Sequence, residues 1–278
     1  MTAAIPVLLY HSVRDDPAPW IAPFTVTPAA FARQLRLIAD SGRTAITVSQ
    51  LAAGITGREP LPDAPIVITF DDGFADFSAA AEAMADLALP STLYVTTGAL
   101  CGRGPQARRL AIPAEPMLFF SQLPHLEAQG VEIAAHSHTH PQLDVVPDSV
   151  VREELIRSKD VLEQELGHEV PSFAYPHGFH CARTRRLVAE TGYRSACAVR
   201  NRFSSREDDV LALARLTIRS TTTLSQFADL VLPRREWAAP RGPQWRTAAW
   251  RWYRRARGSA SSKGVIDAAP MGSAAARA

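Results

Sequence analysis

The chain has 278 residues, of which 46% are hydrophobic and 21% charged, so it can build a large apolar core and is not a low-complexity chain. The formal net charge is +2, but residues 234–257 hold eight arginines against one glutamate, which leaves the preceding residues mildly acidic. This distribution excludes a nucleic-acid-binding surface spread over the whole chain, and we expect no nucleic-acid partner.

Strand-like and helix-like segments alternate along the chain. Strands are predicted at 5–10, 45–48, 66–70, 92–96, 131–135, 172–175, 195–199 and 211–217. Thr27 is expected to cap the first helix, with Pro28 at its first position and Gly42 at its end. Further helices are predicted at 49–55, about 74–87, 121–129, from 148 or 149 to about 166, 182–191 and 224–232. Residues 98–120 lack periodicity and predict a long loop.

This alternation predicts an α/β fold with a mostly parallel sheet covered by helices. About seven core strands suit a distorted (β/α) barrel, and an open doubly wound sheet is the alternative. The barrel is expected to occupy residues 1–233 as one catalytic domain, followed at 234–278 by a basic Trp/Arg-rich segment and a flexible C-terminal tail.

The basic segment permits a peripheral membrane contact. Four residues would share one helical face beside several arginines, a pattern that suits an anionic membrane surface: Trp245, Ala249, Trp252 and Ala256. A helix docked on the core and a solvated basic run are the alternatives.

The N-terminus has no basic region, and its short apolar run ends at His11, so it predicts a first strand and not a signal peptide. The three cysteines form no CxxC pair, which argues against a disulfide framework. We therefore expect a cytoplasmic protein, which could associate with a membrane through its C-terminal tail.

Four polar clusters directly follow predicted strands: His11, the pair Asp71 and Asp72, the run from His136 to His140, and His177. The carboxyl ends of parallel strands lie on one face of the fold, where active sites are built. The sequence therefore predicts that these groups converge.

Asp71 and Asp72 are adjacent carboxylates followed by Gly73, where a turn can bring both side chains to one site. Side by side they would repel each other unless a cation lay between them, so that one could bind a metal while the other accepted a proton. A pair that only caps the following helix is the alternative.

His136, His138 and His140 alternate along the chain. An extended segment would turn all three to one side as a three-histidine metal site, whereas a helical turn would bring His136 and His140 together and point His138 away. Either arrangement predicts a metal site, because neutral imidazole is the commonest nitrogen ligand.

These residues resemble the polysaccharide deacetylases of carbohydrate esterase family four, the NodB-like homology fold. The motif TFDDG lies at residues 69–73, the histidine–serine–x–x–histidine–proline motif at 136–141, and a third motif is matched in part at 173–178. The likeness covers about residues 5–232. It implies a distorted (β/α) barrel and the hydrolysis of N-acetyl groups on an acetylated amino sugar or polysaccharide.

The resemblance also implies residue roles. Asp72, His136 and His140 would bind a divalent metal, zinc in many members, and Asp71 would be the general base. The backbone N–H of His177 would help to hold the oxyanion. His11 would be the general acid, as in a branch of the family with an N-terminal histidine.

Two departures accompany the resemblance. Ala174 stands where many members carry an arginine that steadies the base, and the region LARLTIRS lacks the histidine of a late motif that supplies the acid. The alternatives are an amidohydrolase- or phosphoesterase-type metal hydrolase, which metal contact by His138 would favour, and a catalytically inactive carbohydrate-binding relative.

Overall fold

Strands and helices alternate through residues 4–103 and 110–232, which are the residues that the computed structural model describes. The strands are β1 (Val7–Tyr10), β2 (Ser12–Val13), β3 (Thr25–Val26), β4 (Thr44–Ile46), β5 (Pro65–Phe70), β6 (Ser91–Val95), β7 (Val131–Ala135), β8 (Ser172–Ala174), β9 (Ser195–Cys197) and β10 (Leu216–Thr217). The helices are α1 (Pro28–Ala39), α2 (Val48–Ile55), α3 (Phe77–Ala85), α4 (Leu123–Ala128), α5 (Asp148–Leu166), α6 (Ala182–Glu190) and α7 (Leu224–Val231).

The main sheet is parallel and has the order β10-β1-β5-β6-β7-β8-β9, with β4 paired to the first half of β5. It curls into a partial barrel. A bridge between Leu213 and Cys197 joins the last segment to β9, while Leu216 and Thr217 pair with β1, so residues 213–217 touch both edges of the sheet. The predicted distorted barrel of about seven parallel strands is confirmed, and the open doubly wound sheet is not observed in the described residues.

Two apolar layers follow from the alternation of side chains along the strands. Val67, Tyr94 and Ala134 belong to a cluster inside the barrel, whereas Ile66 and Ile68 belong to the larger cluster between the strands and the helices. Both clusters are almost fully buried. The inner cluster makes the barrel a packed core, so a site can open only at its mouth.

The helix ends follow the predicted signals. Thr27 Oγ1 accepts a hydrogen bond from Ala30 N–H, with Pro28 at the first helical position. Helix α5 begins at Asp148 and ends before Gly167, whose φ of 76° is the left-handed conformation that favours glycine.

One predicted strand is wrong. Residues 211–217 do not form a continuous strand, because residues 210–212 form a 3₁₀ turn and only Leu216 and Thr217 pair as β10. Asp209 caps that turn by accepting a hydrogen bond from Leu211 N–H. The apolar run reflects burial of the segment and not a long strand.

No helix within 4–103 and 110–232 is both long and apolar enough to cross a membrane. The predicted tail at 234–278, with Trp245, Ala249, Trp252 and Ala256, lies outside the described residues. The three cysteines form no disulfide with one another.

Candidate metal centre and active site

The site lies at the mouth of the barrel, where inward-facing positions continue past the ends of the strands. Val7 and Val67 face the inner core, and the same alternation leads to His11 after β1 and Asp71 after β5. In the closing segment, Leu213 faces the inner core and Arg215 follows two residues later. The strands therefore deliver chain-distant polar groups to one pocket.

Asp72, His136 and His140 form a compact group of three potential metal ligands. His136 Nε2 and His140 Nε2 are 3.2 Å apart, and Asp72 Oδ1 lies 3.6 Å from the first and 3.4 Å from the second. Ligands about 2.0–2.2 Å from a tetrahedral ion are separated by similar distances. All three side chains are buried. The gap between them therefore has the size of a metal ion, and the atoms around it are ones that bind metals.

The protonation pattern of this group also fits a cation. His136 Nδ1–H donates to the carbonyl oxygen of Ala174 at 2.8 Å, which leaves the lone pair of the neutral ring on Nε2, toward the group. Burial lowers the pKa of both histidines, which keeps them neutral. Burial and the neighbouring Asp71 raise the pKa of Asp72 well above its usual value, so an ionised Asp72 requires a positive charge beside it.

One of the atoms that face this gap, Asp72 Oδ1, has no hydrogen-bond partner within the described residues. A buried carboxylate oxygen without a partner is costly, and a cation at this point would remove that cost. The residues present therefore fit a divalent metal.

Asp71 lies next to this group and is held by an arginine. Arg215 is completely buried, and its Nη1 and Nη2 donate to Asp71 Oδ1 and Oδ2 at 2.6 and 2.7 Å. Burial alone would raise the pKa of Asp71, but Arg215 and His136 outweigh it and hold the pKa below its usual value. Asp71 is thus an ionised carboxylate, with Oδ2 3.7 Å from His136 Nε2.

The histidine loop is fixed by a buried glutamate of α5. Glu154 accepts hydrogen bonds from the backbone N–H groups of His138 and Thr139 at 2.8 and 2.7 Å, and from Thr139 Oγ1 at 2.5 Å. Ser137 Oγ accepts from His140 N–H at 3.0 Å. These bonds bend the segment so that His136 and His140 meet, which is the pairing expected of a helical turn, although the segment itself is not helical.

His138 is not part of the metal group, and its ring is directed elsewhere, with Nδ1 2.9 Å from Thr97 Oγ1. The three-histidine arrangement is therefore wrong for this chain. The contact that would have favoured an amidohydrolase- or phosphoesterase-type enzyme is absent from the described structure.

His11 and His177 line the same pocket. The His177 ring packs against His140, with ring centroids 4.6 Å apart. Burial lowers the pKa of His11 to about 4, against an opposing attraction from Asp71, and His11 Nδ1 has no hydrogen-bond partner in the part of the chain described. His11 is therefore neutral in the free protein at pH 7.

The backbone at the site is strained at four residues with positive φ: Asp72 (79°), Ser137 (66°), His140 (63°) and His177 (58°). Such conformations cost of order 1–3 kcal/mol each in residues other than glycine and persist where the surrounding contacts impose them. The turn that joins the two carboxylates begins at Asp72 itself, one residue earlier than the predicted turn at Gly73.

All six predicted site residues thus meet in one pocket, and sequence reasoning missed two supporting residues. Arg215 lies in an apolar run, and Glu154 lies on the buried face of α5 beside Val151 and Leu155. A charged residue at a position predicted to be buried is the signal that could have found both, because such residues are rarely buried without a partner.

A parallel barrel with one carboxylate and two imidazoles around a cation-sized gap, beside a second ionised carboxylate, defines a metal-dependent hydrolase. The family model described as polysaccharide deacetylase matches residues 58–196, half of the chain. The chain belongs to the polysaccharide deacetylase family, whose members are metal-dependent de-N-acetylases of acetylated carbohydrates.

Individual relatives agree with this assignment. YxkH of Bacillus subtilis strain 168, a polysaccharide deacetylase by name, is 21% identical over 226 residues, which is 81% of this chain and 75% of YxkH. A Streptococcus pyogenes deacetylase solved with acetate superposes with a TM-score of 0.72 at 22% identity, over 84% of this chain and all of that one. A Bacillus cereus polysaccharide deacetylase gives a TM-score of 0.70 at 24% identity, over 83% and 69% of the two chains. These structures share the fold.

Proposed function

We propose that this enzyme removes the acetyl group from an N-acetylated amino sugar, with zinc held by Asp72, His136 and His140 and with Asp71 as the general base. The observation that carries the proposal is that two adjacent carboxylates have pKa values shifted in opposite directions. Asp72 completes the group of ligands, whereas Asp71 is kept ionised by Arg215.

A divalent metal held by Asp72, His136 and His140 would supply a Lewis acid, which would polarise the acetyl carbonyl and lower the pKa of bound water. Asp71 takes the proton of the attacking water, and its position is fixed because both its oxygens accept hydrogen bonds from Arg215. The backbone N–H of His177 is assigned to the oxyanion that forms at the carbonyl oxygen when water adds to the acetyl carbon.

His11 is assigned to the departing nitrogen, because an amine leaves only when it is protonated. The neutral ring must gain a proton first, and the negative charge of the oxyanion favours that gain. The negative charge of Asp71 also raises the pKa of His11 and so favours protonation of the ring, and the proton that leaves the attacking water supplies this charge balance.

The test combines acetate release with metal analysis. Asp71→Asn should keep the metal and lose acetate release from N-acetylated sugars, while His136→Ala should lose both. His138→Ala is the matched control, since its ring lies in the same loop but outside the metal group. Normal turnover by Asp71→Asn, or a metal other than zinc in the purified active enzyme, would contradict the respective assignment.

A cytoplasmic location and a membrane contact through residues 234–278 stay predictions. Flotation with anionic liposomes, comparing the full chain with residues 1–233, tests the contact. Equal flotation of the two would end that idea.

A further inference from the structure

The pocket outside the metal group has an uneven distribution of charge. The cavity measures about 440 Å³, and aromatic and aliphatic side chains such as Trp20, Ile112 and Phe179 form much of its wall. Among the described residues of its lining, the charged side chains, histidines aside, are Asp71, Asp72 and Arg219. The two carboxylates lie at the reacting centre, so Arg219 is the charged side chain that residues 4–103 and 110–232 contribute to the outer wall.

Arg219 has a defined position although its side chain is exposed. Its Cζ lies 5.0 Å from the centre of the Phe24 ring, and the backbone N–H of Arg219 donates to Thr222 Oγ1 at 2.9 Å. The next residue, Ser220, donates its N–H to the carbonyl oxygen of Pro23 at 3.2 Å. The loop that carries the guanidinium is therefore fastened to the turn that carries the ring below it.

The packing of Arg219 on the Phe24 ring places the guanidinium close to His11, the assigned general acid. The Phe24 ring that lies under Arg219 also contacts the His11 ring, with centroids 5.2 Å apart. Arg219 is one of the charges that lower the pKa of His11. The guanidinium is thus separated from the assigned acid by a single aromatic ring.

Arg219 lacks a carboxylate partner within residues 4–103 and 110–232. Arg14, Arg185 and Arg202 each pair with an aspartate or glutamate, and Arg215 pairs with Asp71 in the core. An ordered cation over an apolar wall, without an internal counter-charge, attracts an anionic ligand. The planar guanidinium matches the paired oxygens of a phosphate or a carboxylate.

We propose that the pocket accepts an N-acetylated amino sugar that carries an oxyanion substituent, and that Arg219 binds this substituent. The inference rests on the proposed function and names the substrate class of the same site. A sugar phosphate and a sugar carboxylate share the required chemistry.

The kinetic test uses the full-length enzyme loaded with its metal. The substrates are methyl N-acetylglucosaminide as the neutral reference, N-acetylglucosamine 1-phosphate and N-acetylmuramic acid. The wild-type kcat/KM should be about tenfold or more higher for at least one anionic sugar, as one charge-assisted hydrogen-bonded contact allows. Arg219→Gln should bring that ratio close to one, and Arg219→Lys should keep part of it.

Arg33→Gln is the matched control. Arg33 is an exposed arginine on α1 that does not line the pocket, so its removal should leave the ratio as in the wild type. A wild-type ratio of one or less for both anionic sugars, or an unchanged ratio in Arg219→Gln, overturns the proposal.

Binding separates this proposal from the proposed function. Calorimetry on the metal-loaded Asp71→Asn enzyme, with and without Arg219→Gln, measures affinity without turnover. Tighter binding of an anionic sugar that depends on Arg219, with no acetate release by the wild type, would support the anion site and reject the deacetylase assignment. Deacetylation of the neutral sugar, with equal affinity for all three sugars, would support the deacetylase assignment and reject the anion site.

Discussion

Replacement of Arg215 by methionine tests how the charge of the base is maintained. Methionine keeps an unbranched apolar side chain in the space but removes both hydrogen bonds to Asp71. The carboxylate would stay buried, 3% exposed, without its main compensating charge. Removal of one partner of a buried pair costs about 3–5 kcal/mol, because the other charge is left unpaired.

This cost should appear as a large fall in thermal stability. For a domain of this size, 1 kcal/mol corresponds to a shift of about 2–4 °C in Tm, so Arg215→Met should lower Tm by roughly 6–20 °C. The measurement is thermal or urea unfolding in the presence of a chelator, so that metal binding does not contribute to the difference.

The double variant Arg215→Met/Asp71→Asn is the decisive comparison. The double variant has no buried negative charge at residue 71 that needs a cationic partner. It should therefore regain much of the stability lost by Arg215→Met. Acetate release should fall about 100-fold or more in Arg215→Met, the range that a misplaced general base accounts for. A double variant as unstable as the sum of its single changes would refute the reasoning.

Two further predictions concern the histidines. Glu154→Gln places an amide NH₂ among three hydrogen-bond donors, so metal affinity measured by calorimetry should fall about 10–100-fold. The control is Glu153→Gln, at the exposed neighbouring position. Equal metal affinities of the two variants would contradict the positioning role of Glu154. The pKa of His11 is about 4 in the folded metal-free protein, below the unfolded value of 6.5, so the unfolded chain takes up this proton first. The contribution of His11 to the free energy of unfolding should therefore be complete above about pH 6.5 and fall by about 3 kcal/mol as pH decreases to 4. His11→Asn should flatten the urea-unfolding profile over that range, and an unchanged slope would show that His11 is not buried as a neutral ring.

The predictable part of the fold rests on signals that are local in the sequence. The alternating strand and helix patterns, the cap at Thr27 and the stop at Gly167 each depend on neighbouring residues, and the structure confirms them. Polar groups at the ends of parallel strands predicted the convergence of Asp72, His136 and His140, since topology alone brings them to one face.

The unpredictable part depends on contacts between distant segments. Residues 211–217 have a composition typical of a strand. The segment, however, touches both edges of the sheet, and only two of its residues pair with β1. The left-handed backbone at Asp72 and His140 opposes local preference and is imposed by surrounding contacts, so no local pattern predicts it. The choice between two and three metal-facing histidines depended on Glu154, a side chain of another element.

The departure at Ala174 shows how a function can be kept when a motif residue is lost. The carbonyl oxygen of Ala174 still orients His136, which requires only backbone at that position. Asp71 stays ionised if a buried cationic side chain lies next to it, and that side chain can come from any part of the sequence. Arg215 meets that requirement from the closing segment, where the inward alternation after Leu213 directs it to the barrel mouth. The absence of an arginine at Ala174 therefore gives no support to an inactive relative, because Arg215 of the closing segment meets the electrostatic condition for an ionised base.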